Sequence, residues 1–114
     1  MKLVLAVAAL AAALTVPAAS AGGSTLNGTV GPGFSITLTQ GGKKVTALKA
    51  GSYTIVVADK ASIHDFHLKG PGLDKKTSVG GTGTTTWKVT LKKGSYTYQC
   101  DPHASFMHGS FKVS

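Results

Sequence analysis

The chain has 114 residues, with 12 Lys, 4 Asp, no Arg and no Glu, and a formal net charge of +8 at neutral pH. Nucleic-acid bases are commonly recognised by Arg and by aromatic side chains placed among basic residues, and this chain has neither arrangement. We therefore expect no nucleic-acid function. The lysines are expected to be solvated, with a summed field that attracts an acidic partner.

The first 21 residues have the pattern of a secretory signal peptide. Met1-Lys2 is followed by an apolar run over residues 3–16, by Pro17 and by the small-residue sequence Ala19-Ser20-Ala21. The apolar run is short for a membrane span, which needs about 20 residues, although a retained anchor is the alternative. We predict a signal peptide over residues 1–21 and export to the periplasm, the extracellular space or the cell envelope, without stable membrane insertion.

The remaining residues, 22–114, are enough for one domain with a net charge of +7, and they contain a single cysteine, Cys100. An unpaired cysteine in an exported protein forms an intermolecular disulfide, stays a free thiol or binds a metal. A buried, inert thiol is the ordinary alternative.

The mature sequence predicts an all-β domain, because β-branched and aromatic runs lie between Gly-rich breaks and no helical periodicity is sustained. Strands are expected in seven or eight segments, arranged as a Greek-key sandwich or barrel. The predicted segments are 25–30, 34–38, 45–48, 53–57, 63–68, 84–91, 95–100 and 110–113. Residues 71–83 are predicted to form a loop after the Gly70-Pro71-Gly72 turn.

Residues 96–109 combine several soft metal donors at and beyond the end of a predicted strand. Alternation puts Cys100 on the same face as Tyr96 and Tyr98, and Pro102 then forces a turn that brings in His103 and Met107. Thiolate, imidazole and thioether donors favour copper over magnesium or calcium, and two His, one Cys and a weak axial Met form the blue-copper donor set.

A second imidazole must come from another part of the chain. His64, Phe66 and Leu68 alternate on one predicted face, so His64 is expected to point to the core while His67 points outward. We interpret His67 as a surface or supporting residue, with a fifth donor as the alternative. We interpret His108 as a surface residue.

The turn with the pattern Cys-x-Pro-His, followed by Met-x-Gly, resembles that of the cupredoxins, including plastocyanin, pseudoazurin and amicyanin. His64-Asp65-Phe66 is similar to the segment that supplies the family's upstream ligand. The resemblance covers most of residues 25–114. It implies a single copper ion held by His64, Cys100, His103 and Met107, and a monomeric carrier of single electrons between redox partner proteins, not an enzyme.

The chain departs from the family pattern at Asp65, where Asn is usual, and at Asp101, where Ser or Thr is usual. Two carboxylates that join the ligand segments would repel each other unless one of them holds a proton. The hypothesis is that they share a proton, so that the reduction potential depends on pH. The His103-to-Met107 spacing also lies between the amicyanin and plastocyanin spacings.

Three other functions are compatible with parts of the pattern. Copper storage or delivery would need exchangeable copper, but the chain has no Met-rich or His-rich tract. A thiol enzyme is disfavoured because no orienting Asn accompanies Cys100 and His103. A structural zinc site is disfavoured by the thioether donor.

Overall fold

The computed structural model describes residues 24–114, so the predicted signal peptide lies outside the described residues. This part of the chain forms ten β-strands and one short 3-10 turn, Asp101–His103. The strands are β1 (Thr25–Val30), β2 (Ile36–Gln40), β3 (Lys43–Lys44), β4 (Ala47–Leu48), β5 (Gly51–Asp59), β6 (His67–Gly70), β7 (Leu73–Lys76), β8 (Gly83–Leu91), β9 (Gly94–Gln99) and β10 (His108–Val113). None of the helices among the described residues is long and apolar enough to cross a membrane.

The strands form two five-stranded sheets that enclose one apolar core. The first sheet has the order β3-β2-β1-β5-β8, and the second has the order β4-β10-β9-β6-β7. β1 pairs in parallel with β5, and β4 pairs in parallel with β10, while the other neighbours are antiparallel. The predicted all-β sandwich is therefore confirmed.

The core follows the alternation of the strands. On β8, Trp87, Val89 and Leu91 are buried, while the residues between them are exposed. On β9, Tyr96 and Tyr98 face inward. Tyr96 stacks on Phe111 with a centroid separation of 5.2 Å, and Tyr98 stacks on Phe66 at 5.6 Å. These stacked rings pack the interior beside the end of β9. Cys100, which directly follows β9, is therefore attached to a rigid part of the core.

The predicted strand over residues 63–68 is wrong for its first four residues, 63–66. The chain leaves β5 in one sheet and enters β6 in the other, so residues 60–66 cross between the sheets and only His67–Gly70 forms a strand. His64, Phe66 and Leu68 are buried as predicted, but Asp65 is buried as well. Strict alternation fails at Asp65 because the crossing segment has no sheet partner that would fix its pleat.

Two other boundary predictions are also wrong. Leu73–Lys76 is a strand and not part of a loop, because the two-residue Pro71-Gly72 turn folds it back against β6. Gly72 supports that turn with a φ of 67°. Phe34 was expected to begin a strand, but β2 begins at Ile36, and Phe34 is 61% exposed at the end of the sandwich.

Candidate metal centre

Three of the predicted ligand atoms meet at one end of the sandwich. The Nδ1 atoms of His64 and His103 lie 3.3 Å apart. Cys100 Sγ lies 3.6 Å from Nδ1 of His64 and 3.5 Å from Nδ1 of His103. The centre of such a nearly equilateral triangle is about 2 Å from each corner, which is the length of a metal–imidazole bond. The three side chains therefore fit around one metal ion.

His64 is held in the orientation that a ligand needs. Its Nε2 lies 2.9 Å from the carbonyl oxygen of Gly33, in the connection between β1 and β2. A carbonyl only accepts hydrogen bonds, so Nε2 carries the proton and the lone pair of Nδ1 faces Cys100 and His103. Gly31 packs so closely that a Cβ atom there would lie 3.0 Å from Cδ2 of His64. No residue pattern around Gly33 indicates this orienting contact in the sequence.

The segment from Cys100 to Met107 closes on itself through its backbone. The N–H of Cys100 donates to the carbonyl of Met107 at 3.0 Å, and the N–H of Met107 donates to the carbonyl of His103 at 2.9 Å. The N–H of His103 donates to the carbonyl of Cys100 at 3.0 Å. Met107 is 1% exposed, so its thioether lies in the interior on the same compact turn as two of the clustered side chains.

The thiol of Cys100 is fully buried and not in a disulfide. Burial raises the pKa of this thiol, and the carboxylates of Asp65 and Asp101 raise it further, against hydrogen bonds that lower it. A cation is therefore needed to stabilise the thiolate in this position. Copper would supply that charge together with one-electron redox chemistry, and a soft thiolate is a donor that copper prefers.

The two departures from the family pattern, Asp65 and Asp101, lie directly behind the cluster. Asp65 Oδ1 accepts the backbone N–H of Asp101 at 2.6 Å, which ties the segment carrying His64 to the segment carrying Cys100. The other oxygen of Asp65 is buried and has no hydrogen-bond partner among the described residues. This link fixes how the two ligand-bearing segments meet.

The two carboxyl groups have opposite pKa shifts. Burial raises the pKa of Asp65, and the neighbouring Asp101 raises it further, although the backbone N–H of Asp101 lowers it. Burial also acts to raise the pKa of Asp101, but hydrogen bonds from Gln99 and His67 outweigh it and lower that pKa to about 2. Asp65 is therefore the member of the pair that holds a proton more readily. A pH-dependent reduction potential stays a prediction.

His67 does not point to the metal cluster. Its Nδ1 lies 2.9 Å from both carboxylate oxygens of Asp101, and its Nε2 lies 2.6 Å from Oδ1 of Asp74. It is a supporting residue, which agrees with the preferred interpretation and not with the fifth-donor alternative. His108 is exposed on β10, as expected.

An exposed apolar patch surrounds the half-buried His103. Phe34 lies edge-on to His103 at 5.1 Å and to His64 at 5.5 Å, while Phe106 lies 5.7 Å from His103. Phe34 and Phe106 are 61% and 58% exposed. Phe34 was missed as part of the site because its spacing matched a strand.

Comparison with known proteins agrees with this arrangement. The profile of the family described as copper binding proteins, plastocyanin/azurin family, matches residues 29–114. No curated protein sequence is significantly similar to the chain.

Solved structures share the fold. The rusticyanin structure from Thiobacillus ferrooxidans is 23% identical, with a TM-score of 0.53 over 81% of this chain and 79% of that one. An amicyanin mutant with Cu(I) is 15% identical, with a TM-score of 0.52 over 80% of this chain and 83% of that one. The chain therefore belongs to the plastocyanin/azurin family of copper-binding proteins, the cupredoxins, and its clustered side chains fit a single type 1 copper ion.

Proposed function

We propose that the protein is an exported electron carrier that binds one copper ion through His64, Cys100, His103 and Met107. The observation that carries this proposal is the triangle of the two Nδ1 atoms and Cys100 Sγ. The three sides of this triangle are nearly equal. The turn that carries Cys100 and His103 is closed by backbone hydrogen bonds at the end of the β-sandwich. Copper in such a site cycles between +1 and +2, and the surrounding burial and hydrogen bonds tune its potential.

The residues of this chain contribute to electron transfer by keeping the donor positions fixed. The carbonyl of Gly33 holds His64, and the closed turn holds Cys100 and His103. Because both oxidation states meet the same donors, little rearrangement is needed when an electron is gained or lost. The buried position of Cys100 also keeps water from the thiolate. These features favour rapid transfer over copper exchange, as expected of a carrier and not of a storage or delivery protein.

The partner surface is proposed to be the apolar patch around His103. Phe34, Pro102 and Phe106 are exposed there, and His103 is the half-buried member of the triangle. Met107, in contrast, is buried and lies in the interior, outside this patch. The net charge of +7 for residues 22–114 favours an acidic redox partner, with an association rate that falls as ionic strength rises.

The first test is the visible absorption spectrum of the purified protein spanning residues 22–114 after addition of Cu(II). An intense thiolate-to-copper band that is bleached by a reductant supports the proposal. The matched variants are Cys100→Ser, which should lose the band, and His108→Asn, which should keep it. A wild-type protein without this band, or with copper that a weak chelator removes at once, would contradict the proposal and favour storage or delivery.

A second test addresses the partner surface. Phe106→Lys should slow electron transfer to an acidic partner protein without changing the absorption band, because the side chain lies outside the metal cluster. Thr90→Lys, which adds the same charge at an exposed position of β8, is the comparison for the change in charge alone. Equal transfer rates for Phe106→Lys and wild type would show that the partner docks on another surface.

A further inference from the structure

The polar side chains behind Cys100 bring two carboxyl groups close together. Oxygen atoms of Asp65 and Asp101 and a nitrogen of His67 lie within 4.8 Å of one another. Asp65 is 1% exposed, and the side chain of Asp101 is 33% exposed. Two carboxylates this close repel each other, and burial strengthens the repulsion. A proton on Asp65 relieves this repulsion, and the carboxylate of Asp101 is then the negative charge that a cation can pair with.

His67 lies between the carboxyl groups of Asp101 and Asp74, where a positive charge would be stabilised. Its Nδ1 faces both carboxylate oxygens of Asp101, and its Nε2 faces the carboxylate of Asp74. Carboxylates only accept hydrogen bonds, and a neutral imidazole has a single N–H to donate. Both contacts are satisfied together only when the ring carries two protons and a positive charge. Although burial acts in the opposite direction, the hydrogen bonds to Asp101 and Asp74 raise the pKa of His67.

Asp101 links His67 to the metal cluster. Its carboxylate is held by His67 and by Nε2 of Gln99 at 2.9 Å, and its backbone N–H is held by Asp65. Asp101 follows Cys100 directly and begins the 3-10 turn that ends at His103. A rotation of Asp101 would therefore move both the thiolate and one imidazole.

We propose that His67 is a positioning residue of the copper site, which fixes the Cys100–His103 turn through Asp101 and offsets the negative charge behind the thiolate. This inference rests on the proposed function. Loss of the cation would leave negative charge close to the metal, and that charge stabilises Cu(II) relative to Cu(I). Loss of the hydrogen bonds between His67 and Asp101 would also allow the Cys100–His103 turn to adopt more than one orientation.

The test compares the reduction potentials and Cu(II) electron paramagnetic resonance spectra of copper-loaded variants at one pH and one ionic strength. His67→Gln keeps a hydrogen-bond donor but has no charge, and it should lower the potential and broaden the copper hyperfine lines. His67→Arg keeps the charge and a planar fork of donors, and it should restore the potential towards the wild-type value. His108→Asn, the same loss of an imidazole from the strand on the other side of β9, should leave the potential unchanged.

A second measurement needs no substitution and remains informative if His67→Gln does not fold. Nitrogen NMR of the Cu(I) protein at neutral pH should show both ring nitrogens of His67 protonated, with slowly exchanging protons. A single protonated nitrogen would overturn the proposal. So would a His67→Gln potential equal to that of wild type, or equal shifts in the Gln and Arg variants.

Zinc binding tests a competing interpretation, in which the cluster of Asp65, His67 and Asp101 itself holds a metal ion. The proposal predicts that the copper-loaded protein binds no additional zinc at this cluster. A second bound metal that is lost in His67→Gln but retained in His108→Asn would overturn it. Absence of the thiolate band from wild type would instead refute the copper site, and the protonation of His67 would still be measurable in the copper-free protein.

Discussion

The Nδ1 atoms of His64 and His103 lie 3.3 Å apart although the residues are 39 positions apart in the sequence. Because Nε2 of His64 donates to Gly33, its Nδ1 lone pair faces the second imidazole across a space closed by Cys100 Sγ. Both ring nitrogens can offer a lone pair to a shared cation, which would stabilise them at this separation. The geometry of the pair thus links metal binding to the stability of the fold.

Metal binding should raise the temperature of unfolding. A metal at 100 times its dissociation constant adds about 2.7 kcal/mol when it binds only the folded state. Thermal unfolding of the copper-free protein, with and without a redox-inactive ion such as Zn(II), measures this effect. Cys100→Ala is the matched variant and should show a smaller increase. Equal increases for wild type and Cys100→Ala would place the metal at another site.

Replacement of Met107 should change the reduction potential more than the stability. Met107→Leu conserves volume in the interior and should cost less than about 1.5 kcal/mol of unfolding free energy. The loss of a sulfur donor to Cu(II) should raise the potential, whereas the harder oxygen of Met107→Gln favours Cu(II) and should lower it. Voltammetry of both variants gives the answer. Unchanged potentials in both would remove Met107 from the ligand set.

Removal of Phe34 should expose the metal centre without unfolding the protein. Phe34 is 61% exposed, so Phe34→Ala should change the unfolding free energy by only about 0.5 kcal/mol. Water would then reach the edges of His64 and His103, stabilise the more highly charged Cu(II) form and lower the potential. Phe106→Ala, which uncovers only His103, should have a smaller effect. Identical potentials in Phe34→Ala and wild type would contradict this role.

The contribution of His67 to stability should decrease as the pH rises. Burial acts to lower the pKa of His67, but the hydrogen bonds to Asp101 and Asp74 outweigh it and raise that pKa above its ordinary value of 6.5. The stabilisation from the charged ring is therefore complete below about pH 6.5 and is lost as the pH passes the higher pKa of the folded protein. Denaturant unfolding of copper-loaded wild type and His67→Gln should show a difference in unfolding free energy that is largest below about pH 6.5 and narrows as the pH rises above it. A difference that widens with pH would contradict the charged state of His67.

The sequence determined the class of fold and the clustered donors because both depend on short-range patterns. Alternation along β9 predicted that Cys100 shares a face with Tyr96 and Tyr98. The spacing of Cys100, His103 and Met107 placed three soft donors on one turn. The burial of His64 was predicted from its alternation with Phe66 and Leu68. These patterns required no knowledge of which strands are neighbours.

The tertiary structure alone decided which distant groups support the donors. The carbonyl of Gly33, the ring of Phe34 and the imidazole of His67 reach the site from separate elements, and nothing in their local sequence marks them. Residues 60–66 changed from a predicted strand to a crossing segment because β5 and β6 belong to different sheets. Sheet order and strand pairing depend on contacts between residues far apart in the chain, so a local pattern does not contain them.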